Sequence, residues 1–250
     1  MNSLALINLI HSDPLALYSK NLFNISRGTT RDNLSRVISG EVDYSMISLV
    51  DYFKNADKLK IVNGPTISGK IHSNSNLLVS KGGDPFPGMR IAVSSETETT
   101  AFYLKLVLDQ LYPGSILIRS KHGNASDLLS EENFALVIGN NALEIYHSNI
   151  RILLDITHMI SRLFNRYSIY GVTVSLKERE EDIKLEALKN VPVWFINEHI
   201  AEIADKHHIQ ANLLGTYYSA LTYDFNEIML ENIHEYKKDY DRVHNSIFSE

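Results

Sequence analysis

Short apolar runs alternate along this chain with segments of helical period, and that alternation constrains its fold more than any other feature. LALINLI (4–10) and YSMIS (44–48) read as strands, the first a near-continuous apolar run of the kind buried on both faces of a parallel sheet. Between them Thr30 stands as the N-cap of a helix through Leu34, Val37 and Ile38, which Gly40 closes. Val50, Tyr52 and Phe53 then mark a short helix, and KIVNG and SNLLVSK supply further strands. The turn-rich GGDPFPG (82–88) interrupts the series. After it the pattern restarts: strand 90–94, helix 97–111, strand 115–120, helix 125–129, strand 134–139, helix 140–147 and strand 151–155. This is the grammar of an α/β protein.

A last strand, SIYGVTVSL (168–176), is followed only by helical segments: Glu178 to Leu188, Phe195 to Lys206, Ile209 to Leu221 and Phe225 to Val243. Helices without new strands make no third sheet, so this tail is expected to pack on the first lobe. At 250 residues the chain is long enough for two lobes. The expectation is a discontinuous lobe 1 of residues 1–80 with 169–250, a lobe 2 of residues 81–168, and a ligand cleft between them at the strand ends. No internal repeat is visible.

Composition narrows the function. The net charge is −6 and no stretch is strongly basic, so nucleic acid is not an expected partner. There is no cysteine, which removes disulfides and thiolate metal sites. MNSLALINLIHSDPL has no basic start and no small-residue cleavage site, so it reads as a first strand, with a cytoplasmic location expected. No run approaches the ~20 apolar residues needed to span a bilayer. A small molecule is the expected partner. A homodimer is the one macromolecular option left open, and neither cofactor nor metal is expected.

The residues just past the strand ends are His11, Ser12 and Asp13; Ser45 and Ser48; Ser94 to Thr100; and Gly139, Asn140 and Asn141. Nearly all are small, polar and uncharged. With the free N–H groups of helix starts they suit a small anion held without Lys or Arg. Each feature also has a plainer structural reading. SSETETT serves equally as an N-cap with Glu96 and Glu98 in a first turn, His11 and Asp13 as caps of a helix at Pro14, and His207 with His208 as a solvated helix end. No nucleophile elbow, phosphate loop or zinc-protease motif is present.

GEVDYSMISLVDYFKN, IHSNSNLLVSK, RIAVSSETETTAFYLKLVL, FALVIGNNAL and ILLDITHMI together resemble the menaquinone biosynthesis enzymes of the futalosine route, in the branch typified by chorismate dehydratase. The likeness runs over roughly residues 4–175. It implies a two-lobed periplasmic-binding-protein-like II fold, with mixed sheets flanked by helices. It also implies a cytoplasmic lyase that removes water from chorismate to give 3-[(1-carboxyvinyl)oxy]benzoate. By this resemblance Ser95, Thr97, Thr99 and Thr100 hold a substrate carboxylate, Ser75 lies near the reacting part of the substrate, and Ser45 and Ser48 line the opposite wall. His11 and Ser75 are then the candidate catalytic residues, with Asn140, Asn141 and Tyr167 as further substrate contacts.

The sequence departs from the family pattern at His11, where an Asn is usual, at Met46 in place of a Pro, and at Asn140 in place of an acidic residue. NRYSIYG (165–171) replaces a Gly-Leu-Pro-Phe segment, and there Arg166 or Tyr167 fills the wall. Two alternatives stand beside the dehydratase. One is a non-catalytic carboxylate-binding or sensor protein of the same fold. The other is the related branch that releases a dihydroxynaphthoate from a cyclised futalosine.

Overall fold

The computed structural model describes residues 1–95 and 97–248; Glu96, expected in the first turn of a helix, lies outside the described residues. The chain divides into two units, Met1–Ser68 with Ile169–Leu230 and Gly69–Ser168 with Glu231–Glu250.

The first unit contains strands β1 (Ser3–Ile7), β2 (Asn24–Gly28), β3 (Tyr44–Ser48), β4 (Leu59–Gly69) and β10 (Ser168–Leu176), ordered β2-β1-β3-β10-β4. β1 pairs in parallel with β2 and β3, whereas β10 runs antiparallel to β3 with Val172 opposite Ile47. β3 is buried along its whole length, and so is β1 after Ser3, as strands covered on both faces must be. Helices α1 (Asp13–Ser19), α2 (Thr30–Ile38) and α3 (Leu49–Lys54) connect these strands. Thr29, not Thr30, caps α2, in a capping box that it forms with Asp32. Three helices follow β10: α8 (Lys184–Ala187), α9 (Val193–His207) and α10 (Ala211–Ala220). Leu185, Leu188, Val191 and Tyr223 join the core made by Leu4, Leu6, Phe23, Tyr44 and Met46. The long helix expected from Glu178 is therefore only one turn, α8, which seats Leu185 in that core.

The second unit repeats the arrangement with different residues. Its strands are β5 (Asn76–Ser80), β6 (Arg90–Ser94), β7 (Ile116–Ser120), β8 (Phe134–Ile138) and β9 (Arg151–Asp155), ordered β7-β6-β8-β5-β9. β6 is parallel to β7 and β8, and β5 is antiparallel to β8 and β9. Its helices are α4 (Thr99–Leu111), α5 (Ala125–Glu131), α6 (Gly139–Ile145) and α7 (Ile156–Phe164). A final helix, α11 (Glu227–Val243), begins in the first unit and ends in the second.

Two boundaries differ from the sequence expectation. Residues 69–80 belong to the second unit, because Asn76–Ser80 pairs with Ile138–Phe134 on one side and with Arg151–Asp155 on the other. Most of α11 also belongs there. The Tyr236 ring packs 4.8 Å from that of Tyr103 and 6.1 Å from that of Phe102, and Tyr240 lies 5.6 Å from Phe102. The Tyr236 hydroxyl donates to the Tyr167 carbonyl at 2.8 Å, and Asn232 accepts from the Tyr167 N–H at 2.8 Å. Of the helical tail, then, α8 to α10 pack on the first unit and α11 mainly on the second. Tyr236 is fully buried, so Tyr236→Ala is expected to lower the unfolding free energy by about 3–5 kcal/mol, read from the urea midpoint.

Candidate functional site

In the first unit the chain leaves β1 in a single 3-10 turn, Ile10–Ser12, and enters α1 at Asp13 with Pro14 in its first turn. The turn and Asp13 are buried. Neither His11 nor Asp13 caps the helix: Ser12 stands at the N-cap position and makes no side-chain cap. The Asp13 carboxylate instead holds two cationic side chains and an imidazole. Arg27 of β2 is ion-paired to it, Lys206 Nζ lies 2.8 Å from Oδ1, and His207 Nε2 lies 2.5 Å from Oδ2. Burial pushes the Asp13 carboxyl up, but hydrogen bonds from Lys206, Arg27 and His207 and the Arg27 charge outweigh it and hold the group below its ordinary range. His207 is therefore not a solvated helix end. Its side chain is only 17% exposed, and with Lys206 it fastens the last turn of α9 to the start of α1.

His11 sits inside this frame. Its Nε2 is buried and has no hydrogen-bond partner among the described residues, and the same holds for Ser12 Oγ. Burial, reinforced by the Arg27 charge and opposed by that of Asp13, pushes the imidazole pKa down to about 4. At neutral pH the ring is uncharged and open to a proton. Two phenols fix the backbone around it: Tyr218 donates to the Ile10 carbonyl and Tyr223 to the His11 carbonyl, each at 2.9 Å.

Ser45 and Ser48, also in this unit, have local partners. The Ser45 hydroxyl donates to the Asn33 carbonyl at 3.0 Å and is wholly buried, which ties α2 to β3. Ser48 caps α3, accepting from the Asp51 N–H at 3.1 Å and donating to the Asp51 carboxylate at 2.8 Å. Met46 is core, and its carbonyl accepts from the Asn33 amide at 3.2 Å.

In the second unit β6 leads through 95–98 into α4, and Thr97, Thr99 and Thr100 are all buried there. Thr100 Oγ1 donates to Asn76 Oδ1 at 3.1 Å, and Asn76 Nδ2 lies 3.4 Å from Ser75 Oγ. A chain of polar contacts thus links the start of α4 to the start of β5. Ser75 belongs to the same unit as the threonines, not to the opposite lobe, for the same β5 pairing that moved the boundary. Its position is set from β9: the Asp155 carboxylate accepts from the N–H groups of Ser73 at 2.9 Å and Asn74 at 2.8 Å, while Asn74 takes a left-handed φ of 58°. Asp155 also caps α7 by accepting from His158 N–H at 3.1 Å.

Other expected contacts stand apart from this chain. Ser95 is exposed, and its N–H continues the β6 ladder by donating to the Ser120 carbonyl at 2.7 Å. Asn140 and Asn141 are half-buried in the first turn of α6, and Asn141 donates to the Gly123 carbonyl at 3.1 Å. Tyr167 lies under Lys70, whose Nζ is 5.0 Å from the ring centre, and Arg166 is paired with Asp239 of α11 at 2.6 Å. Among the described residues no cluster of three or more His, Cys, Asp or Glu could hold a metal ion, and no helix is long and apolar enough to cross a membrane.

Comparison with known proteins agrees with this architecture. A family model described as menaquinone biosynthesis matches residues 12–240. The chain belongs to the menaquinone biosynthesis family. No curated protein sequence matches it. Among solved structures, protein AF1704 from Archaeoglobus fulgidus is similar at 14% identity, covering 96% of each chain with a TM-score of 0.67. The periplasmic aliphatic sulphonate binding protein SsuA from Escherichia coli is 10% identical over 98% of this chain and 87% of its own, with a TM-score of 0.68. The Candida albicans CA3427 product, described as having the generic periplasmic binding protein fold, is 13% identical over 98% and 95%, with a TM-score of 0.62. At such identities the likeness shows the fold alone, and that fold is the periplasmic-binding-protein type.

Sequence reasoning missed Arg27, Lys206, Tyr218, Tyr223, Asn76 and Asp155. The tyrosines had a usable signal: YYSALTY (217–223) puts three phenols in an otherwise apolar stretch, and a buried phenol needs an acceptor. Two outcomes follow from the buried charges. Asp13→Asn leaves the Arg27 and Lys206 charges around a neutral group and is expected to cost about 3–5 kcal/mol of stability, measured by denaturant titration. His11, with a pKa of about 4 in the folded state against 6.5 unfolded, binds fewer protons folded than unfolded between those values. Its stabilising contribution is present above pH 6.5 and is lost as pH falls toward 4, by about 3 kcal/mol in all. Unfolding free energies measured across that window should slope upward with pH, and His11→Asn should flatten the slope.

Proposed function

We propose that this protein is a hydro-lyase of menaquinone biosynthesis, acting in the cytoplasm, that converts chorismate into 3-[(1-carboxyvinyl)oxy]benzoate. The observation that carries the reading is the buried hydroxyl cluster of the second unit. Thr97, Thr99 and Thr100 at the start of α4, continued through Asn76 to Ser75, suit a carboxylate, and chorismate has two. Hydroxyls and helix N–H groups bind such a group without the long, flexible cations that would also attract inorganic anions.

The chemistry removes one proton from a ring carbon and the hydroxyl from its neighbour. The C–H and C–O bonds break, a C=C bond forms, and the proton taken up by the base leaves with the hydroxide as water, so one group serves as base and then acid. His11 is assigned that role. Its neutral ring and unpartnered Nε2 leave it able to accept a proton. A dianionic substrate beside it would stabilise the imidazolium and strengthen the base when it is needed. Ser75 is assigned to the reacting part of the substrate, and Ser45 and Ser48 to scaffolding of the first unit.

A second reading, a carboxylate-binding protein without turnover, has support from the resemblance in fold to the aliphatic sulphonate binding protein. One assay separates the two. Purified protein incubated with chorismate is expected to form the enolpyruvyl benzoate, seen by mass spectrometry. Binding by calorimetry without product would leave the binding-protein reading standing and end the lyase proposal. Thr100→Val should weaken chorismate binding about tenfold, since a buried acceptor loses its donor. His11→Ala should leave binding near wild type and remove turnover.

A further inference from the structure

The tail segment from α9 to Tyr223 contributes no residue to the functional roles assigned above, yet four of its side chains converge on one short stretch. Lys206 and His207 hold the Asp13 carboxylate, and Tyr218 and Tyr223 donate to the carbonyls of Ile10 and His11. The backbone of 222–223 is itself anchored. Thr66 N–H donates to the Tyr223 carbonyl at 2.8 Å, and Ser68 and Thr222 exchange N–H to carbonyl bonds at 3.1 and 2.8 Å, so this segment is tied to β4 by an isolated antiparallel bridge. Tyr218 and Tyr223 are therefore not incidental packing. Their rings are buried, and their hydroxyls add side-chain hydrogen bonds to carbonyls of the turn, that of Ile10 accepting from the Asp13 N–H as well.

We infer that Tyr218 and Tyr223 are positioning residues, which fix the Ile10–Asp13 turn so that the His11 imidazole is presented in one orientation with its Nε2 unpartnered. The inference rests on the assignment of His11 as the base. It also extends that assignment, since it makes the α9–α10 segment a working part of the site. A phenol that donates to the carbonyl of the residue bearing the base sets the direction of that residue's Cα–Cβ bond. For a general base, misplacement of the order of 1 Å costs far more in rate than in binding.

The test uses the full chain with Tyr218→Phe, Tyr223→Phe and the double variant. Tyr44→Phe serves as a matched control: Tyr44 is a buried phenol of the same unit whose hydroxyl donates to the Glu180 carbonyl at 2.7 Å, away from the His11 turn. Two readouts are taken. The first is the ¹⁵N chemical shifts and tautomer of the His11 imidazole without substrate, assigned by the loss of its signals in His11→Asn. The second is kcat and KM on chorismate. In the double variant the His11 signals are expected to move, and kcat to fall about tenfold or more with KM within about twofold. Tyr44→Phe should match either single variant in loss of thermal stability while leaving both readouts at wild-type values. His11 signals that stay in place in the double variant, or that move equally in Tyr44→Phe, overturn the inference. Should the wild type fail to turn over chorismate, the lyase reading falls separately, and the imidazole signals alone decide the positioning role.

Discussion

A buried carboxylate organises the first unit. Moving a charge out of water costs several kcal/mol even after relaxation, and Asp13 is buried just beyond β1, beside the edge strand β2. That cost is offset only because Arg27 arrives from the neighbouring strand and Lys206 and His207 from a helix nearly two hundred residues later in the chain. The requirement works in both directions. Asp13 holds the end of α9, and the cations make the turn that carries His11 a fixed object. Arg27 is spread over several partners, giving its second terminal nitrogen to the Leu9 carbonyl at 2.9 Å. The same guanidinium that neutralises Asp13 therefore also braces the backbone on the approach to His11.

Strands buried on both faces were legible in the sequence because they are almost wholly apolar. β1, β3, β6 and β8 all stand close to where their residue patterns put them. β2 was not legible. NISRG carries one aliphatic residue, lies at the edge of its sheet and is at best half-buried, so no hydrophobic period marks it. Helix α7 was hidden for another reason: ITHMISRLF follows β9 without a break, and the cap is supplied by Asp155, the last residue of the strand. The site divides in the same way. Thr97, Thr99 and Thr100 could be named because strand-to-helix junctions recur at binding surfaces. Arg27 and Lys206 could not, because each acts through a contact across many residues that no local spacing encodes.

The two units share one strand order on unrelated sequences. Each has three parallel strands with the first in the middle, then an antiparallel strand, then an edge strand. The antiparallel strand is in each case the one that starts just after the chain enters the unit, at 169 for β10 and soon after 69 for β5. This explains why a reading by composition misplaced 69–80. GGDPFPG looks like a boundary, but it is a loop inside the second unit, and the actual crossing lies within the long β4 segment, where nothing in the sequence marks a break.

Equivalent positions in the two units have been given different chemistry. After β6, the middle of the three parallel strands in the second sheet, stand small hydroxyl residues; after β1, its counterpart, stands a histidine inside a charge cluster. A neutral imidazole costs little to bury and a charged one costs a great deal, so the lowered pKa of His11 is the form in which this turn can keep a titratable group at all. The resemblance places an asparagine at this position, which can donate and accept hydrogen bonds but cannot take up a proton. Replacing it by a histidine in a turn braced by two phenols and the Asp13 charge cluster keeps the polar character and adds proton affinity. With the pKa held near 4 that affinity is low, and a negative charge placed beside the ring would raise it.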